Sequence, residues 1–475
     1  MSEPPGTEYR LFIEGQWREA AASGLIERRH PASGKLVACY ARGNAGDIHC
    51  AVEAANRAFA EGRWSRCPPR ERSTVLRAMA HELRAAETEL ATVEANETGK
   101  PLADALADIR AGAELWQYAA AALRTVHGEV YPDLAANRLG MTVVEPVGVV
   151  GLILPWNFPF IVSAERLPFL LAAGCSVVIK PSEYASGTAL LSAELLKRAG
   201  LPDGVCNVVT GLGTEAGAAL VDHDQVAMIS FTGSSDNGRR VMKAASRTLK
   251  RVSLELGGKS PVIVFADADL ERAANAVILG FTHNAGQCCI ATSRLLVEAA
   301  IAERFAALLA TKLERQPLTQ PLATAAQANT VRQYIARASA EGDILLYQGR
   351  CDESVTGQGI GAHIFRPAPE SALRRDELFG PVLTLDVFAS EDEAIGMAND
   401  TAYGLAACVW TGAVERGLRV ARRLRCGRLW INAPQDNYPE LPVGGYKASG
   451  IGREAGRCGI LAYSEVKSII LGGDS

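Results

Sequence analysis

Two cysteines stand side by side in Asn284-Ala-Gly-Gln-Cys288-Cys289, just after a glycine turn. A thiolate is a soft nucleophile suited to a carbonyl carbon once its pKa is lowered, whereas most buried thiols are only small apolar side chains. A vicinal pair in a loop is an unusual filler, yet spacing alone does not say which sulfur reacts. Glu255 ends an apolar strand and opens Glu255-Leu-Gly-Gly-Lys-Ser-Pro261. A carboxylate at that place is either ion-paired or a general base with a raised pKa, and the two readings stand level. Two glycine-bearing segments each follow a strand and open a helix. Gly211-Leu-Gly-Thr-Glu-Ala-Gly217 has its third glycine one residue late for a pyrophosphate loop, and a plain left-handed turn competes with that reading. Phe231-Thr-Gly-Ser234 is the better phosphate candidate, because free N–H groups and the helix dipole at such a junction favour an anion.

Elements that could position these groups are written in the apolar pattern. Apolar runs at 148–154, 176–179, 205–209, 226–230 and 252–254 alternate with helical stretches near 160–173, 187–199, 214–221 and 237–248. Strands buried on both faces and alternating with helices predict a parallel α/β sheet wound by right-handed crossovers, as in dinucleotide-binding folds. A second α/β series follows, with helices near 270–280, 301–315, 325–341, 390–399 and 415–424. Its strands are expected near 294–297, 344–347, 382–387 and 428–432. The first 45 residues read as short strands and turns, and 47–126 as Ala-rich amphipathic helix. Residues 138–145 alternate like an exposed strand, and the apolar run 466–471 is the other orphan that needs a partner.

Bulk composition narrows the class. The chain has 475 residues, more than one compact core accommodates, and a net charge of −4 without long runs of either sign. That balance argues against nucleic-acid or membrane-surface partners. The longest apolar stretches are about half the length of a membrane span, and the start, Met1-Ser-Glu-Pro-Pro-Gly, does not read as a signal peptide. Eleven cysteines without Cys-x-x-Cys spacing argue against a zinc site or a disulfide framework and for a reducing, cytoplasmic setting, with no metal expected.

Seven segments taken together resemble the aldehyde dehydrogenase superfamily. They are Pro155-Trp-Asn-Phe-Pro159, Lys180-Pro-Ser-Glu183, Phe231-Thr-Gly-Ser234, Glu255-Leu-Gly-Gly-Lys-Ser-Pro261, Gly286-Gln-Cys-Cys289, Glu377-Leu-Phe-Gly-Pro381 and Pro442-Val-Gly-Gly-Tyr-Lys447, in the family's order. The resemblance implies oxidation of an aldehyde to a carboxylic acid with NAD, through a cysteine thiohemiacetal and thioester. It implies two doubly wound parallel-sheet α/β domains, a Rossmann-like cofactor domain (1–127 and 147–254) and a catalytic domain (255–448). A small β oligomerisation arm (128–146 and 449–475) completes the fold, in a homodimer or homotetramer. It assigns Cys289, Glu255, Asn157 and Lys180 to catalysis, the Asn157 amide and the Cys289 N–H forming an oxyanion hole. Around the cofactor it places Pro155, Trp156, Lys180, Glu183, Gly213, Phe231, Gly233, Ser234, Leu256, Glu377 and Phe379. Lys180 and Glu183 would meet the adenosine ribose, and Glu183 would repel a 2′-phosphate, favouring NAD over NADP. Phe158, Glu165, Cys288, Ile290, Gln435, Asn437 and Val443 would line a mixed polar aldehyde pocket without an aromatic box, which disfavours betaine aldehyde itself.

Two stretches depart from the family pattern. The link from 312 to 321 is short and lacks the family's Gly-Pro signature, and the stretch 357–370 is atypical. Three rivals are a CoA-acylating dehydrogenase, a phosphorylating one and a non-catalytic protein on the same fold. Glu255 argues against the first two, and the joint presence of Cys289, Asn157 and Glu255 against the third.

Overall fold

The computed structural model describes residues 7–135, 137–338, 340–352, 355 and 357–472; the opening segment read above for a signal lies outside them. Eight strands form the first large sheet, in the order Gly450–Ile451, Arg251–Glu255, Met228–Thr232, Val149–Ile153, Ser176–Lys180, Cys206–Val208, Leu11–Ile13 and Gln16–Arg18. The five from Arg251–Glu255 to Cys206–Val208 are parallel, and antiparallel strands close both edges. Alternate residues of these strands supply two cores. Val150, Leu152, Val177 and Ile179 pack beneath the helices Pro69–Ala85, Leu102–Ala122, Leu167–Ala173 and Gly187–Arg198. Val149, Ile153, Val178 and Ile229 pack beneath Ala45–Ala60 and Ala218–Asp222 on the other face. Burial on both faces is why the runs are continuously apolar.

The second sheet runs Ile344–Gln348, His363–Arg366, Val382–Phe388, Arg294–Glu298, Pro261–Val264, Ala406–Trp410 and Arg428–Ile431, parallel except at its first, antiparallel edge strand. Pro261–Val264, His363–Arg366 and Ala406–Trp410 are strands that the sequence reading left out. The first follows the Glu255 motif without a turn signal, and the second lies in the atypical stretch, flanked by Gly361 and Pro367. One expected helix, 160–173, is two, Pro159–Ala164 and Leu167–Ala173, parted at Glu165 and Arg166, with Pro168 in the first turn of the second. The fold is thus α/β, with two large mixed and mainly parallel sheets.

The two orphan strands pair with each other. Arg138–Pro146 lies antiparallel between Ser464–Gly472 and Val130–Ala135, with Val144 opposite Val466 and Met141 opposite Ile469. Before that strand the chain contributes Gly450–Ile451 to the first sheet, and the helix Gly456–Ala462 packs on Leu167–Ala173. Among the described residues no helix is long and apolar enough to cross a membrane.

Candidate active site

The vicinal thiols leave a backbone turn that few sequences can make. Asn284 and Ala285 hold φ of 52° and 53°, and Gly286 follows at 74°, three successive left-handed residues. Such a conformation costs on the order of 1 kcal/mol or more for a residue with a Cβ and persists only where the surroundings impose it. Here they do. A side chain at Gly286 would lie 2.3 Å from the Gly380 backbone, so glycine is required there. The buried Asn284 donates from Nδ2 to the Asn157 carbonyl (2.9 Å) and the Gln287 carbonyl (3.3 Å). Asn157, also buried, donates from its own Nδ2 to the Gln287 carbonyl at 2.9 Å, which leaves its second amide hydrogen uncommitted. The Cys289 backbone N–H has no protein acceptor among the described residues. Its carbonyl packs so closely on the loop after Glu255 that a Cβ at Gly258 would stand 2.4 Å from it.

Both thiols, Glu255 and Phe158 open into one cavity of about 410 Å³. All seven expected pocket residues, Phe158, Glu165, Cys288, Ile290, Gln435, Asn437 and Val443, lie in its wall. The sequence reading missed Asp108, Arg166, Arg428, His283 and Tyr438, which share that wall. A charged pair, Glu165-Arg166, inside an apolar helical stretch was a signal for Arg166; none marked Arg428.

Electrostatics around the Glu255 carboxylate are strongly biased. Burial, opposed by Arg166 and reinforced by Glu454 and Glu165, pushes its pKa up to about 8. One of its oxygens, Oε1, is buried without a hydrogen-bond partner. Arg166 instead bonds the Val162 carbonyl at 2.7 Å and approaches Glu165 at 3.4 Å and Glu454 at 4.0 Å. Glu454 is held by Ser253 and Tyr463 at 2.6 and 2.8 Å. The two thiols form a coupled pair: the hydrogen bond they share lowers Cys288 and, with burial and the carboxylates of Glu255 and Glu377, raises Cys289.

A second cluster lies at the carboxyl ends of the first sheet's strands, where parallel α/β folds bind their ligands. Lys180 is buried, its ammonium 3.1 Å from Glu183, and a Cβ on Gly213 would come within 4.0 Å of that ammonium. Lys180 thus lies with Glu183 and Gly213, and it is absent from the wall of the thiol cavity. Phe231 and Gly233 lead to Ser234, whose hydroxyl caps the helix Ser235–Ala245 by accepting from Asn237 N–H at 3.3 Å. Gly238 in that helix packs directly on Leu256. Trp156, next to Pro155, meets Phe379 edge-on, ring centroids 5.5 Å apart. Glu377 accepts from Gly258 N–H at 3.0 Å, and burial brings its carboxyl up to about 7. Bare glycine backbone, a helix N-terminus and a Lys–Glu pair, set at the carboxyl ends of parallel strands of one sheet, are the kind of donor and acceptor set that a dinucleotide needs.

Known proteins resemble this chain over nearly its whole length. The Aldehyde dehydrogenase family profile matches residues 17–469. The NADP/NAD-dependent aldehyde dehydrogenase PuuC of Escherichia coli strain K12 is 42% identical over 97% of this chain and 95% of its own. The crystal structure of an NAD-dependent aldehyde dehydrogenase from Sinorhizobium meliloti superposes with a TM-score of 0.96 at 42% identity, covering 98% of this chain and 95% of the other. Betaine aldehyde dehydrogenase from Staphylococcus aureus in complex with NAD+ superposes at 0.94 with 33% identity, covering 98% and 95%. With its family profile, sequence relatives and three-dimensional neighbours agreeing over nearly the whole length, the chain belongs to the aldehyde dehydrogenase family.

Proposed function

We propose that this protein oxidises an aldehyde to a carboxylic acid with NAD+, by covalent catalysis on Cys289 and hydrolysis assisted by Glu255. The observation that carries the reading is a convergence on one cavity. Both cysteines and Glu255 line it, one Glu255 oxygen being buried and partnerless, beside the buried Asn157 amide and a Cys289 N–H without an acceptor among the described residues. Cys289, its thiol proton released to solvent, bonds through the thiolate sulfur to the aldehyde carbon. The negative charge that develops on oxygen is met by the Cys289 N–H and the second Asn157 amide hydrogen, donors already in place before the reaction. NAD+, when bound, takes hydride from that carbon and so converts the adduct into a thioester. Glu255, ionised, takes a proton from water as the water attacks the thioester, and the acid leaves with Cys289 restored. Acidity does not select Cys289 over Cys288; membership of the family and the free N–H of Cys289 support the choice.

Lys180 and Glu183 are assigned to the adenosine ribose, Ser234 and the N–H groups of its helix to the pyrophosphate, and Glu377 with Phe379 to the nicotinamide end. Relatives named for NAD, and for both NADP and NAD, support a nicotinamide cofactor. Glu183, facing the ribose, favours NAD of the two. The same reading divides the chain into the cofactor, catalytic and arm segments given above, with the arm joining subunits. Formation of NADH followed by absorbance tests the proposal. A panel should include aminoaldehydes, betaine aldehyde and neutral aldehydes, with and without CoA. CoA-independent formation of acid supports it, and strict dependence on CoA overturns it in favour of an acylating enzyme.

A further inference from the structure

Gln320 lies in the short link that lacks the Gly-Pro signature, and its side chain is neither idle nor solvated. It is 7% exposed, and its amide nitrogen donates to Asn284 Oδ1. Resting on the oxyanion reading above, we propose that Gln320 is a positioning residue for the oxyanion donor Asn157, acting through Asn284. An amide nitrogen can only donate. Gln320 therefore fixes Asn284 with Oδ1 toward the link and Nδ2 toward the active site. There Nδ2 reaches the Asn157 and Gln287 carbonyls at 2.9 and 3.3 Å.

The Gln287 carbonyl is the same atom that accepts from Asn157 Nδ2 at 2.9 Å, so it sets where the second Asn157 hydrogen points. The link holds Gln287 a second time. Ala323 N–H donates to Gln287 Oε1 at 2.8 Å, and the Ala323 carbonyl is itself anchored by Arg28 at 2.8 Å. Gln287 Nε2 returns to the Asn284 carbonyl at 2.8 Å, which closes the network. Every member named is buried, so each bond resists exchange with water. A segment remote in sequence, 320–323, thereby locks the left-handed 284–286 turn and the amide that meets the developing charge.

The test measures single-turnover NADH formation with enzyme in excess of aldehyde, in the intact enzyme. Gln320→Ala is expected to slow that step about 3- to 10-fold, the scale of one buried hydrogen bond, with the Kd for NAD+ unchanged. Gln320→Glu has the same shape but offers an acceptor to Asn284 Oδ1. It is expected to slow the step at least as much, although packing alone predicts no loss. In an Asn284→Ala background, Gln320→Ala should add less than about twofold, because the path runs through Asn284. A Gln320→Glu enzyme within about twofold of the parent, or losses that multiply in the Asn284→Ala background, overturns the inference. So does a loss matched by weaker NAD+ binding. Asn157→Ala is measured alongside. If it leaves the step unchanged, the oxyanion reading itself fails; if it is slowed about 100-fold or more while the Gln320 variants are not, only the role of Gln320 fails.

Discussion

Cys288 and Cys289 share a hydrogen bond, and in that pair the proposed nucleophile, Cys289, is the thiol whose acidity is suppressed. Cys289→Ala is expected to abolish turnover and leave NAD+ binding near normal in a fluorescence titration, whereas Cys288→Ala keeps most activity. Swapped phenotypes would reassign the sulfur. Glu255 makes a pH prediction. Its carboxyl titrates near 8, raised by burial, and only the ionised form can accept the water proton. Steady-state kcat should thus rise with pH toward about 8 and fall roughly tenfold per unit below it, as protonation removes the base. Glu255→Gln should be severely slowed at every pH yet still release a first burst of NADH. A native kcat that stays level down to pH 6 would contradict the assignment. Glu183→Gln should narrow the preference for NAD over NADP in kcat/KM by lifting repulsion of a 2′-phosphate. A parent enzyme that prefers NADP would sink that reading.

Elements hold these residues by close backbone approach. Gly258, in the turn between Arg251–Glu255 and Pro261–Val264, lies against the Cys289 carbonyl, and the strands on either side pin it. Gly258→Ala would put a Cβ 2.4 Å from that oxygen, so either the Glu255 turn or the thiol loop must move. A displacement near 1 Å costs on the order of 100-fold in a positioned reaction. Turnover should fall by about that much while the melting temperature drops by only a few degrees. Unchanged kcat in a folded Gly258→Ala enzyme would show that the contact is slack. The break between Pro159–Ala164 and Leu167–Ala173 has the opposite character. It forgoes helix continuity at Glu165 and Arg166 and turns both into the cavity wall.

At the scale of the molecule, the antiparallel arm is the least self-sufficient part. Ser464–Gly472 is an edge strand whose Val466 and Ile470 are 65% and 68% exposed, and Val130–Ala135 is exposed along its length. Long apolar edges of this kind pair with another chain or aggregate. A symmetric dimer, or a dimer of dimers, would cover them. Removing the residues after Tyr463 should dissociate or aggregate the protein in light scattering, although no proposed catalytic residue is touched. A truncated enzyme of unchanged size and activity would mark the arm as dispensable.

The sequence by itself determined the class of the fold and pointed to the candidate reactive groups, because both are local. Strands buried on both faces must be continuously apolar, so Val149–Ile153 and Ser176–Lys180 were legible without partners. Cys289, Glu255 and Asn157 stood out by family motif. Tertiary structure alone decided what depends on residues far apart in the chain. Whether Glu255 is ion-paired or partnerless turns on Arg166 and Glu454, and no spacing encodes that Arg166 leans toward Glu454 and Glu165 instead. His363–Arg366 became a strand because Val382–Phe388 and Ile344–Gln348 lie on either side, which outweighs its glycine- and proline-flanked sequence. The bond from Gln320 to Asn284 spans 36 residues, and Asn157 reaches Gln287 across 130. Hydrogen bonds over such separations form only after the two sheets have packed, so they are properties of the folded chain and of no segment within it.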